Sequence, residues 1–504
     1  MANSIEPLRK GDLPDMGTSC WRLAGPGAIM VGMAVGSGEL ILWPWITARF
    51  GAVMAWAPML AVFLQIWINL EIGRWAIATG ETALAGLARA SVKISYVFMG
   101  LLLALTMLPG WQRAVSATVR FLIFGSDETP GLFARPWEEG SVWGSDWLWY
   151  LPVTAAVWIV LLGPKRIYDG LEKIVTLLVL VIVVGLIVVV LKIGTMQKAK
   201  DLAGGIVSLP PTIQLNVAGE DVNENGELDP GEDTNDNKKL DRGDFPFYRF
   251  FGALVFAGVG GFGNLYYAYY LRDKGIGMGK RFPMLAVDIR GKQERANETG
   301  YRFNDTPENQ KRFREWFNFV KFDTWVIFGL TSVVTLFLFM FAALVALYPQ
   351  EQGFAQNNVI FDLSGILGKA MGTFGTYLFL VIAIAALFST VLANVDGGIR
   401  MWIDLIHKGF PSTQKWSAGS MYVPLMLTLW TIGFTSFVIL EISGVSILGF
   451  FFINAAINGC AMAIYVPAIL YLNLKYLPKS ARPGVVNVFF VICATALYTG
   501  FAVY

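Results

Sequence analysis

GPGAIMVGMAVGSGELILWPW, residues 25–45, is long enough to cross a bilayer, yet Gly36-Ser37-Gly38-Glu39 lies near its middle. Glycine and serine weaken a helix, and an acid surrounded by hydrocarbon is costly enough to imply a use. A span that breaks at its centre frees backbone N–H and C=O groups, which is tolerable only where they line a cavity or bind something. The stretch predicts a discontinuous membrane helix with a site at mid-membrane.

The rest of the chain is consistent with a membrane protein. Its 504 residues are 55% hydrophobic and 15% charged, with a mean hydropathy of +0.54; soluble domains carry about 25% charged residues. The 17 Trp and 36 Phe suit lipid and its interfaces. Cys20, Cys460 and Cys493 are too scattered for a disulfide framework or a thiolate metal site. The opening MANSIEPLRKGDLPDMG lacks a basic-then-apolar signal segment and reads as a cytoplasmic tail over 1–22.

A spanning helix needs roughly 20 apolar residues. That criterion predicts an all-α integral membrane protein with eleven spans, near 23–47, 52–78, 94–124, 147–163, 173–194, 248–271, 322–347, 367–394, 420–440, 445–473 and 484–503. Pro109-Gly110 interrupts span 3, which is either one kinked helix or a helix with a re-entrant piece. Lys and Arg gather in the loops after spans 4, 6, 8 and 10, while the loop between spans 5 and 6 is acidic. The bias puts the N-terminus in the cytoplasm and the C-terminus outside, in a plasma (inner) membrane. A monomer with no nucleic-acid partner is expected.

Span 6, FGALVFAGVGGFGNLYYAYYL, carries Gly258, Gly260, Gly261, Gly263 and Asn264 at its centre. Spans 1 and 6 each open a five-span set, 23–196 and 247–478, with span 11 over 479–504 left over. Because five is odd, the two sets would lie inverted in the membrane. Glycine-interrupted helices at matching places in inverted halves point to a transporter's central site.

GPGAIMVGMAVGSGE together with FGAVMAWAPMLAVFLQIWINLEIGRWAIATGE resembles spans 1 and 2 of the Nramp family of divalent-metal transporters. The likeness includes Gly-Pro-Gly (Gly25–Gly27), the Phe-Gly between the spans, and Arg-x-x-x-x-Thr-Gly (Arg74 to Gly80). Asn264-Leu265-Tyr266 in span 6 and AALFSTVLANVDGGIRM in span 8 are also similar. The resemblance implies the inverted-repeat fold shared with the leucine-transporter family. It also implies metal ligands that this chain does not have. Where the family carries Asp-Pro-Gly-Asn, the chain has Gly36, Ser37, Gly38 and Glu39; where it carries Met-Pro-His, the chain has Gly261, Phe262 and Gly263. Pro109 and Gln112 stand where span 3 of the family has acids.

A lone carboxylate with carbonyls suits a hard ion, whereas a thioether and an amide suit softer metals. The expected substrate site is therefore Gly36, Ser37, Gly38, Glu39, Gly260, Gly261, Gly263 and Asn264, with Ser389 and Thr390 of span 8 reaching toward span 1. The expected cargo is a Mg²⁺-like cation rather than Mn²⁺ or Fe²⁺. The alternative is a small organic solute or another ion, coupled to Na⁺ or H⁺. Glu71 with Arg74, and Asp396 with Arg400, read as ion pairs of an inner gate or surface. The only histidine, His407, falls in the loop after span 8, and no nucleophile–base pair or catalytic metal cluster in the spans suggests an enzyme.

A second metal signal lies in DVNENGELDPGEDTNDNKKLDRGD, residues 221–244, within the acidic loop 197–246. Two tandem 12-residue units place oxygen ligands as a calcium loop requires. The first offers Asp221, Asn223, Asn225, Asp229 and Glu232, with position 7 at Glu227; the second offers Asp233, Asn235, Asn237, Asp241 and Asp244, with position 7 at Lys239. Lys238 replaces the usual turn glycine in the second unit. A structural Ca²⁺ element is expected there, and no cofactor for transport itself.

Overall fold

A computed structural model describes residues 6–125, 131–133, 142–163, 167–207, 247–282, 299–348 and 359–503. The tandem units at 221–244 lie outside the described residues, as does 283–298 of the basic loop.

Among the described residues, nine helices are long and apolar enough to cross a membrane. Two of the eleven expected spans fall short of that measure. Span 4 is the 17-residue helix Asp146–Leu162, and span 6 is divided into Phe247–Val255 and Phe262–Asp273. The chain is a multi-pass membrane protein.

Spans 1 and 6 break differently. Span 1 stays helical throughout, as Pro26–Ala34, a π-helical segment Val35–Leu42, and Trp43–Phe50. The expectation of an unwound span 1 is thus corrected: a widened i→i+5 turn absorbs the two glycines without giving up the backbone bonds. Span 6 is interrupted over 256–261, and Gly261 sits at φ +77°, where a side chain would be strained.

Other boundaries also shift. Span 3 is two helices, Val92–Thr106 and Gly110–Phe124, parted at Pro109, which restricts the residue before it and has no N–H to give. Span 8 follows a separate short helix, and the two meet at Gly372 with φ +61°. The start of the acidic loop is helical over Met196–Val207. Span 7 is longer than its apolar run, a 40-residue helix Pro307–Ala346 with a second π segment at Asp323–Leu330.

Span 8 packs against spans 1, 3 and 5, while span 2 packs against spans 6, 7 and 11. The first half of span 6 lies on span 10. At the tail end of the bundle, Arg9–Lys10 pairs in parallel with Tyr301–Arg302. Leu13 is buried there, and its N–H donates to Asn309 Oδ1 at 3.1 Å. The tail is thus tied to the helix that becomes span 7.

Candidate functional site

The two breaks touch. A Cβ on Gly38 would collide with the carbonyl of Phe256, so only glycine lets span 1 approach the interrupted part of span 6. Trp43 Nε1 donates to Ala253 O at 3.1 Å and Gln65 Nε2 to Val255 O at 3.2 Å. These side chains satisfy carbonyls that the first half of span 6 leaves open at its C-terminus. The second half is supported from span 10. Asn458 Oδ1 accepts from Phe262 N at 2.9 Å, and Tyr465 OH donates to Gly261 O at 2.9 Å.

This arrangement encloses a cavity of about 190 Å³. Gly258, Val259, Gly260, Phe262 and Gly263 of the span 6 break form one wall. The kink of span 3 adds Pro109, Trp111 and Gln112; span 8 adds Thr390 and Asn394; span 10 adds Asn454 and Asn458. Tyr150, Trp158, Tyr266, Trp402 and Trp430 give it an aromatic lining. No Asp, Glu, His, Lys or Arg is among the lining residues. Three lining residues also carry a buried polar atom without a hydrogen-bond partner: the indole N–H groups of Trp111 and Trp402, and Asn454 Oδ1.

The residues expected to form one site are divided between two places. Gly260, Gly263 and Thr390 line the cavity; Glu39 and Asn264 do not. Glu39 is fully buried in the π segment and turned to span 7, where it accepts a hydrogen bond from Thr335 Oγ1. The Ser332 hydroxyl, one turn before Thr335 on span 7, also faces this carboxylate. Gly36 packs against Thr390 and the Ala386 carbonyl, and Gly261 against Asn458. Asn264 Nδ2 donates to Tyr465 OH at 3.0 Å. The side chain of Ser37 is not among those described.

The span 8 hydroxyls lie between span 1 and their own helix. Ser389 Oγ lies 2.8 Å from Gly32 O of span 1 and 2.8 Å from Ala386 O of its own helix. Thr390 Oγ1 lies 3.0 Å from Gly32 O, 3.1 Å from Met33 O and 3.1 Å from Ala386 O. Span 1 is thereby fastened to span 8 just before its π segment.

The two ion pairs form, and neither is a surface feature. Glu71 and Arg74 meet at 3.0 Å, and Asn473 and Asn487 each donate to Glu71 at 2.8 Å. Asp396 and Arg400 meet at 2.8 Å, and Arg400 also pairs with Asp273 of span 6. His407 is in the last turn of span 8 rather than a loop, buried, with Nε2 3.1 Å from Met421 Sδ. Among the described residues, no group of three or more His, Cys, Asp or Glu is placed to hold a metal.

Sequence reading missed Asp323 and Asn458. Asp323 is fully buried at the tail-end base of span 7, accepting from Gly27 N and Tyr267 OH, each at 2.9 Å. An acid at the start of an apolar run looks like a boundary residue; only the extension of span 7 to Pro307 shows that it lies inside a helix.

Compared by sequence, the chain matches no protein-family model and no curated protein. Compared by structure, it matches the manganese transporter of Eremococcus coleocola. A point mutant of that protein superposes with a TM-score of 0.63 at 14% identity, over 98% of this chain and 90% of that one. The same transporter in complex with an aromatic bis-isothiourea substituted compound gives 0.63 at 15% identity over 98% and 90%. The chain shares that transporter's fold. In architecture, this agrees with the resemblance to the Nramp family seen in spans 1, 2, 6 and 8. Within that fold the cavity lies among spans 1, 3, 6, 8 and 10.

Proposed function

We propose that the chain is a secondary transporter whose central cavity carries a small organic solute without net charge. The observation that carries this reading is the chemistry of the walls. A cavity of about 190 Å³ lined by aromatic rings and amides, with no ionisable acid or base among its lining residues, suits a planar solute with a few polar groups. Gln112, Thr390 and Asn394 among the lining residues carry the amides and hydroxyl that would meet the polar groups of such a solute. A bare divalent cation would find carbonyls and amides but no counter-charge. Alternating access would move spans 1 and 6 against spans 3 and 8, with the tail end toward the cytoplasm.

A second reading has one observation in its favour. Glu39 is a fully buried carboxylate in the π segment of span 1, faced by the Thr335 and Ser332 hydroxyls of span 7. A hard divalent ion such as Mg²⁺ could be held there, and the structurally similar transporter is a manganese transporter. On either reading, the units at 221–244 are proposed to bind Ca²⁺ outside the membrane.

Uptake into proteoliposomes separates the two. The panel would hold small uncharged planar solutes, Mg²⁺ and Mn²⁺, each with wild type, Trp402→Phe and Glu39→Gln. The solute reading expects uptake that Trp402→Phe weakens and Glu39→Gln leaves in place. Divalent-ion uptake abolished by Glu39→Gln would replace it with the cation reading.

A further inference from the structure

Behind span 6, on the side away from the cavity, a seam of fully buried polar side chains carries atoms that no protein group satisfies. Gln65 and Asn69 stand one turn apart on the same face of span 2. Gln65 Oε1 lacks a partner, as do both amide atoms of Asn69 and Asn264 Oδ1 on span 6. None of these side chains lines the cavity.

Their order comes from the packing. A Cβ on Gly258 would meet Gln65 Oε1 at 2.7 Å, which places Gln65 beside the span 6 break. Two turns further along span 2, a Cβ on Gly73 would meet the Tyr267 ring at 3.1 Å. Asn69 lies between those levels on span 2, and on span 6 Asn264 precedes Tyr267 by three residues. Tyr267 OH then donates to Asp323 Oδ2 at 2.9 Å, and the Thr324 hydroxyl is 3.4 Å from the same phenol oxygen. Buried polar atoms in folded proteins find partners, and where the protein supplies none, ordered water with two to four contacts is the usual one. Several unpaired amide atoms on facing spans, on the same side as a buried carboxylate, are best explained by bridging water.

We propose that this seam is a water-bridged proton site, in which Asp323 accepts the proton and Gln65, Asn69, Asn264 and Tyr267 form the hydrogen-bonded path to it. A bridging water gives its proton to the Asp323 carboxylate and takes one from the next water along, the chain ending at hydronium in bulk solvent, so at each step one O–H bond forms as another breaks and no electrons change hands. The charged groups near Asp323 are few. Lys274 of span 6 is paired with Glu172 of span 5 at 2.5 Å; span 1 offers the backbone N–H groups of Gly25 and Gly27; and span 6 adds the Tyr267 phenol. The position couples the proton to movement. An ionised Asp323 holds the positive end of span 1 through Gly27 N–H, and a neutral one holds it less. The site does not depend on which cargo fills the cavity.

The test is infrared difference spectroscopy of the full chain in lipid nanodiscs, between about pH 8 and about pH 5. Wild type should gain the C=O stretch of a protonated, buried carboxyl, shifted in heavy water. Asp323→Asn should remove that band and Glu39→Gln should leave it; a band that survives Asp323→Asn overturns the proposal. Tyr267→Phe takes away one donor and should move the band, so an unmoved band also counts against it. Asn69→Leu removes both free amide atoms with little change of volume. It should keep the band while slowing its exchange into heavy water severalfold, and unchanged exchange would exclude the path through span 2.

Discussion

Span 1 and span 6 meet at one level of the membrane, and each is rich in glycine there, yet they use it in opposite ways. Span 1 keeps its helix through a π segment, buries Glu39 toward span 7, and uses Gly38 to press against the Phe256 carbonyl. Span 6 gives up its helix over 256–261 and turns that stretch toward the cavity. The glycines of span 1 are for approach; those of span 6 are for opening. A helix break is therefore not by itself a binding site: its backbone must also be left without helical partners.

The contrast is broken most forcefully at Gly38. A Cβ there would meet the backbone of span 6, which cannot rotate aside. Gly38→Ala is expected to cost on the order of 3 kcal/mol, the upper range for overpacking, and to lower thermal stability in detergent more than substitutions at Glu39, Gly263, Asp305 or Asn458. Gly263→Ala, whose Cβ would meet a side-chain methyl of Val259 rather than backbone, should be milder. Equal effects at Gly38 and Gly263 would mean that span 1 is not packed for close approach.

Next in size is Asn458→Ala, which tests the support of the open break. It leaves Phe262 N–H without its acceptor at the start of the second half-helix. A buried donor left unpaired costs about 1–3 kcal/mol. Hydrogen exchange should show the amide at 262 losing protection while the π segment of span 1 keeps its own. Loss of protection in both spans would show that the two breaks form one cooperative unit.

Much of this was legible in the residues and some was not, for identifiable reasons. Gly36, Gly38 and the glycines at 258–263 mark both breaks because few other causes put so many at mid-span. Their different outcomes were hidden. One extra residue in a π turn rotates the rest of the helix by about 100°, and Glu39 faces span 7 rather than span 6 on the strength of such a turn. The cavity walls were hidden for another reason. Trp111, Trp158, Trp402 and Trp430 are the same residue type as a lipid-facing belt, and only packing tells an inward ring from an outward one. Asp323 was legible as an acid but not as a buried one, because the helix containing it begins in the polar stretch at Pro307.

Glu39→Gln sharpens the comparison with a smaller effect. Glutamine keeps an oxygen to accept from Thr335, so the bond that holds the π segment to span 7 survives. The change in stability should stay within about 1 kcal/mol, the net worth of one ordinary hydrogen bond. A large loss would mean that the carboxylate's charge, rather than its shape, holds span 1 to span 7, and would strengthen the cation reading of Glu39.

The smallest effect is expected at Asp305, outside both breaks, which makes it the control for acid sensitivity. Its carboxylate accepts from the Ser480 hydroxyl and from Ser480 N at 3.3 Å, linking the loop after span 6 to the loop after span 10. The Ser480 bond, helped by Gln310 and Lys479, holds the carboxyl below its ordinary value of 3.8. A group depressed on folding adds stability that is fully present above its unfolded pKa and is lost as pH falls through the folded one. The loss should therefore begin only below about pH 4. Asp305 is exposed, so screening by water and salt keeps its contribution to a fraction of 1 kcal/mol at most, roughly that of a surface pair. Thermal melts of wild type and Asp305→Asn should run parallel above that pH and converge below it. If the wild-type curve falls steeply at higher pH while Asp305→Asn falls with it, the titrating group lies elsewhere, and the buried acids at 39 and 323 are the ones to substitute next.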